Sequence, residues 1–294
     1  MKSCEDDEDA DVVQTYGEGR QQVHTPKKPI LQAINESATI INMKSREEIL
    51  FSQPPGSFLG DCPICFLPLS HDLNKSVMHS CCVKTICIGC LHANKMHKGD
   101  EHLKGGQQQK ATYRCPFCRQ CPPKTDEEYD RNLMNRINVS NDPVALLHMG
   151  TRHYKESNYK SALEYWSKAA ALGNAAAHFH LSILHREGKG VEKDHTKVLY
   201  HLEESAIAGH PDARCNLGQY EWTNQRFERA VMHWVIAARL GSDNSIQALK
   251  KCYTSGNISK EDFASALRAY QDAVARTKSP QREKAEALLQ RQAQ

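Results

Sequence analysis

The chain has 294 residues, 39% of them hydrophobic and 25% charged, with a formal net charge of +3. That length suits one large domain or two of ordinary size, the charge is too small to make nucleic acid the expected partner, and no apolar run approaches the ~20 residues that span a bilayer. Met1 to Val13 is acidic where a secretion signal would be basic and then apolar, so the expectation is an intracellular protein, cytoplasmic or nuclear, with no membrane association.

Residues 1–58 read as a disordered acidic and polar tail. Six of the seven residues from Glu5 to Asp11 are acidic, and the Gln-, Gly- and Lys-rich stretch that follows cannot bury enough surface to offset its ordering entropy. Apolar residues between Ile30 and Phe51 allow a short helix, and Pro54, Pro55 and Gly56 close the region.

Residues 59–123 carry nine of the twelve cysteines, and only Cys4, Cys215 and Cys252 lie elsewhere. The pairs Cys62-Pro-Ile-Cys65, Cys87-Ile-Gly-Cys90 and Cys115-Pro-Phe-Cys118, with Cys81-Cys82 between the first two, supply eight thiols. Cys-x-x-Cys turns in a chain with no sign of export point to metal rather than disulfides, and eight thiols suffice for two closed tetrahedral zinc sites. A segment of about 60 residues has little core of its own, so the expected ions are structural. Residues 98–111 read as a flexible polar insertion. Asp126 to Val139 reads as a connecting helix within a linker at 124–140.

From Asn141 the pattern becomes helical and periodic. Trp166, Leu202 and Trp234 each precede a glycine by seven residues, at Gly173, Gly209 and Gly241. Ala170, Ala206 and Ala238 precede the same glycines by three, and Leu181, Leu217 and Leu249 follow them by eight. A small residue lets two helices approach, and the glycine supplies the left-handed cap that ends a helix. Asp142-Pro143 and His210-Pro211 place proline where a helix can begin. This part, 141–290, resembles the Sel-one-like branch of the tetratricopeptide superfamily. The match is best at Gly188-Lys-Gly190-Val191, Asp194, Lys197, Ala206, Gly209 and Ala213, with shorter turns at Ser157-Asn158 and Asn224-Gln225 in the neighbouring repeats. The resemblance implies an all-α helical-repeat solenoid of antiparallel helix pairs, with Ile246 to Arg276 as a degenerate fourth unit and Gln281 to Gln290 as a cap.

The cysteine block resembles a RING finger, the small zinc-stabilised module of many ubiquitin ligases. The resemblance implies one zinc on Cys62, Cys65, Cys87 and Cys90 and a second on Cys82, Cys115 and Cys118, interleaved along the chain as a cross-brace. Lys84 stands where the family usually has a histidine ligand, and a protonated lysine is a poor one. The fourth corner is assigned first to Cys81, with His79 and Cys121 as alternatives. Cys81 and Cys82 would point to opposite faces of a straight strand, so that assignment requires a turn.

The other histidines carry bland readings: His92, His97 and His102 face water, and His178, His180 and His185 lie on a repeat helix. Trp166 and Trp234 are core, and Cys215 and Cys252 are small buried hydrophobes. No nucleophile of the chain's own is expected. The RING resemblance implies a module that docks a ubiquitin-conjugating enzyme through Ile64, Pro116 and Arg119 and acts by positioning, while the repeats recruit a substrate or scaffold partner. The alternative is a non-enzymatic zinc-binding adaptor. Residues 60–121 carry eight Lys/Arg against four Asp/Glu, but no recognition helix is visible, which argues against nucleic acid.

Overall fold

The structure is a computed structural model that describes residues 44–96 and 113–292. The expectations for residues 1–43 and for the insertion at 98–111 lie outside them. The rest of the expected tail is folded, and the boundary at 58 is corrected accordingly. Ser45 caps a five-residue helix, α1 (Arg46–Leu50), accepting from the Glu48 backbone while the Glu48 carboxylate accepts from the Ser45 N–H at 2.6 Å. Leu50 is buried among Val198, Leu202, Ala206, Ala213 and Leu217, and a strap, residues 52–58, runs on from it. The partners of this segment lie far along the chain, where a local reading cannot see them. Arg46 pairs with Glu203 and Glu204, each at 2.8 Å, and Glu47 pairs with Arg229. Arg214 is fully buried and donates to the carbonyls of Leu50 and, at 2.8 Å, of Ala206. Gly209, at φ +89°, has no side chain because the strap crosses it: a Cβ would sit 2.6 Å from the Gly56 carbonyl oxygen.

The cysteine block is built on a hairpin and one helix. Strand β1 (Ser76–His79) pairs antiparallel with β2 (Lys84–Cys87), in the register Ser76 to Cys87 and His79 to Lys84, and β2 runs directly into α2 (Ile88–Met96). Its core is small: Cys62, Leu69, Ile86, Cys87 and Cys90. The linker helix, α3 (Asp126–Ser140), starts at a Thr125 cap and buries Leu133 against Ala145 and Met149, with Met78 and Val83 of the hairpin packed on the same cluster. It joins hairpin and repeats rather than spacing them apart.

Four helix pairs follow: α4 (Pro143–Lys155) with α5 (Tyr159–Ala171), α6 (Ala175–Glu187) with α7 (His195–Ile207), α8 (Pro211–Thr223) with α9 (Phe227–Arg239), and α10 (Asp243–Thr254) with α11 (Lys260–Arg276). Each helix packs on its mate, and each pair on the next. The result is a helical-repeat solenoid. The periodic residues are its core: Trp166, Leu202, Trp234 and the alanines and leucines of the same period are all buried. Pro143 and Pro211 open their helices, and Asp142 accepts from Val144 N–H at 2.9 Å.

Two further glycines explain the tryptophans. The Trp234 indole N–H donates to the Cys215 carbonyl at 3.2 Å, and Trp166 donates to Leu147 at 3.1 Å, so each ring lies flat across the preceding helix. Gly218 and Gly150 make room for them: a Cβ on Gly218 would sit 2.5 Å from the Trp234 indole nitrogen. Gly218→Ala should therefore destabilise the stack by about 1–3 kcal/mol through overpacking, although alanine is the better helix former by about 1 kcal/mol. A urea midpoint that rises instead would show that the ring moves aside freely.

The last helix, α12 (Pro280–Gln292), does not cap the solenoid. It packs against α2 of the cysteine block, which corrects the expectation for residues 281–290. Arg282 and Ala285 are its buried residues. Among the described residues no helix is long and apolar enough to cross a membrane.

Candidate metal centre

Two short loops of identical design carry two of the cysteine pairs. In the first, Cys62 N–H donates to Leu67 carbonyl at 2.9 Å and Phe66 N–H donates to Cys62 carbonyl at 2.8 Å. In the second, Cys115 N–H donates to Gln120 at 2.8 Å and Arg119 N–H to Cys115 at 3.1 Å. Phe66 and Arg119, each directly after a second cysteine, hold left-handed backbones at φ +57° and +63°. These tight turns aim both thiols of each pair inward.

The fold gathers the eight thiols into two groups. Cys62, Cys65, Cys87 and Cys90 form one, and Cys81, Cys82, Cys115 and Cys118 the other, with all sulfurs of a group within 4.8 Å of one another. The turn that the second group requires is present. Val83 N–H donates to His79 carbonyl at 2.7 Å, and Val83 adopts φ +51°, so the hairpin loop brings Cys81 and Cys82 to the same side. Cys81 Sγ lies 3.3 Å from Cys118 Sγ, and Cys82 Sγ lies 3.6 Å from Cys115 Sγ. The alternatives stand apart. His79 is engaged with the Tyr113 hydroxyl, at 2.9 Å from Nε2, and Cys121 is exposed outside both groups. Lys84 turns its ammonium over the Phe117 ring, 4.8 Å from the centroid.

Both groups suit a dication. Four sulfurs at ~2.3 Å from one zinc lie about 3.8 Å apart along each tetrahedral edge, and Cys65 and Cys87 sulfurs are 3.8 Å apart. Burial, reinforced by neighbouring sulfurs, pushes the Cys81 and Cys90 thiols far above their usual range and Cys82 up to about 11. Crowded thiols of this kind ionise together only around a cation. Cys65 differs. Burial opposes its ionisation, but hydrogen bonds from Leu67 N–H and the Arg282 guanidinium hold it down at about 7.

Arg282 has no motif to announce it in the sequence. It is buried, and it donates to Cys65 Sγ at 3.3 Å, to Leu67 and Pro68 carbonyls at 3.0 and 2.6 Å, and to Thr277 at 2.7 Å. The three residues expected to contact a conjugating enzyme lie at the surface of the loops. Ile64 and Arg119 are exposed and Pro116 is half-buried. Phe66, at 76% exposure, adds an apolar ring next to the first loop.

Residues 145–174 and 175–210 match the Sel1 repeat family model, which takes in α4 to α7. Among curated proteins, the chain is 34% identical over 79 residues to "Putative RING finger protein ORF96" of Ostreid herpesvirus 1 (isolate France), covering 27% of this chain and 30% of that one. It is 23% identical over 181 residues to "DAP3-binding cell death enhancer 1" of Mus musculus, covering 48% and 36%. The chain thus spans about a third of the length of these two relatives. A solved Sel1 repeat protein from Oxalobacter formigenes superposes with a TM-score of 0.44 at 21% identity, covering 54% of this chain and 68% of that one.

Proposed function

We propose that residues 59–123 form a RING-type module holding two structural zinc ions, that it stimulates ubiquitin transfer, and that the Sel1-type repeats present a protein substrate or scaffold partner to it. The observation that carries the proposal is the interleaving of two four-sulfur groups along the chain, 62/65/87/90 with 81/82/115/118, on two loops of the same design. The resemblance to a viral protein named for a RING finger supports it, and so does the Sel1 match, since such repeats mediate protein–protein contacts.

Zinc would supply only a fixed frame. The chemistry belongs to a conjugating enzyme charged with ubiquitin, and this chain contributes position. Ile64 and Pro116 offer apolar contact from the two loops. Arg119, an exposed planar fork, can donate to two partners at once. The test is discharge of ubiquitin from a panel of charged conjugating enzymes. Arg119→Asn, chosen because asparagine tolerates the left-handed backbone, should keep two zinc ions and slow discharge roughly tenfold. Ile64→Ala should weaken docking itself. Wild-type protein that accelerates no member of the panel would leave a zinc-binding adaptor as the function.

A further inference from the structure

Arg282 is a buried cation that needs an anion. Burying a guanidinium is costly unless it is paired as well as hydrogen-bonded. Three carbonyls satisfy part of its fork, those of Leu67, Pro68 and Thr277. Among the described residues it has no carboxylate partner; a fourth donor, on Nη2, meets the Cys65 sulfur at 3.3 Å, and the buried Nε has no hydrogen-bond partner. The missing negative charge is what a zinc tetrathiolate has: four thiolates around one dication carry a formal −2.

The helix that delivers Arg282 is fitted to this place. Gly89, between Cys87 and Cys90, lies so close that a Cβ there would be 3.0 Å from the Arg282 Cα and backbone nitrogen. Gln281 donates to the Gly89 carbonyl at 3.2 Å, and Glu286 pairs with Lys75 at 3.1 Å. The second cysteine group has no counterpart. Cys118 is exposed, Cys81 and Cys82 are half-buried, and no guanidinium bonds to a sulfur of that group among the described residues.

We infer that Arg282 is the counter-ion of the first cysteine group, tying zinc retention there to docking of α12, and that the two ions are consequently unequal, the first held and the second readily lost. The inference rests on the zinc reading above. Hydrogen bonds from outside the ligand shell commonly change metal affinity by 10- to 100-fold, and the coupling between ion and helix is reciprocal.

The test is release of zinc from the full chain into a metallochromic chelator, with maleimide labelling of freed cysteines read by mass spectrometry. Wild type should lose its ions in two phases, with Cys81, Cys82, Cys115 and Cys118 labelled first. Arg282→Gln should accelerate the slow phase by about 10- to 100-fold and leave the fast one unchanged, while Arg282→Lys, which keeps the charge but not the fork, should fall between. Ala285→Asp, which undocks α12 without touching the guanidinium, should reproduce Arg282→Gln and serves if that variant does not fold. Two ions released with a slow phase that none of these variants changes would overturn the counter-ion role alone. Wild-type protein without zinc would overturn the zinc reading and this inference together.

Discussion

Stripping metal from the wild-type protein is expected to unfold residues 59–123 and leave the repeats standing. The block buries only a handful of apolar side chains, Leu69 and Ile86 chief among them, so burial alone does not hold it. Structural zinc in modules of this size contributes on the order of 10–16 kcal/mol, and that free energy is the folding free energy. The solenoid has its own core, built on Trp166, Leu202 and Trp234. All three tryptophans of the chain, Trp166, Trp222 and Trp234, lie in the repeats, so their emission reports the stack alone. Metal analysis should return two ions per chain, and a chelator should abolish cysteine protection without shifting tryptophan emission. Within that frame Cys81→Ser should cost the second ion, whereas Cys121→Ser should keep both, because Cys121 lies outside either group. The opposite order would transfer the fourth ligand to Cys121.

Acid should act on the other half of the molecule. His210 and His233 are buried, and both are held down at about 3. Burial is the main cause, reinforced by His71 and His180 around His210 and by Arg214 and Arg229 around His233. His148, His180 and His201 are lowered to about 4, again chiefly by burial. The native pKa values lie below the unfolded value of ~6.5, so between about pH 6.5 and 4 the unfolded chain binds protons that the native stack refuses. Stability is therefore full above pH 6.5 and lost as pH falls. By pH 5, His210 and His233 alone remove about 2 kcal/mol each, a large part of a typical domain's total. Tryptophan-monitored urea midpoints at pH 7.5, 6 and 5 should fall steadily. His233 is the informative variant, because neither ring nitrogen has a hydrogen-bond partner and the ring packs on Phe51. His233→Leu should match or exceed wild type at neutral pH and flatten the acid slope. An unchanged slope would mean that protonation of this ring does not drive the loss.

What repeats along the chain was legible, and what closes across it was not. The tryptophan, alanine, leucine and glycine period announced the solenoid because each unit solves the same packing problem. The cysteine spacing announced eight thiols for the same local reason. The company of Cys81 depended on Val83 entering the left-handed region, which a β-branched residue rarely does and sequence does not advertise. Lys84 looked only like a lost ligand, whereas in the fold its charge rests on the Phe117 ring. Gly150 and Gly218 carry no local signal, because what their missing side chains make room for, the Trp166 and Trp234 indoles, comes from the next helix. The strap and Arg282 were invisible for one shared reason: each makes its decisive contacts more than 150 residues away.

That separation has a consequence for a chain made from its N-terminus. Solenoids ordinarily fold as they emerge, since each unit needs only its neighbour. Here Cys65 leaves the ribosome 217 residues before Arg282, an interval on the order of 10 to 40 seconds at ordinary elongation rates. Through that interval the first thiol cluster exists without its guanidinium, and Leu50 waits 164 residues for Arg214. The nascent protein is thus an open string whose early segments wait, Leu50 for Arg214 and the first thiol cluster for Arg282, while the repeats between them close neighbour by neighbour.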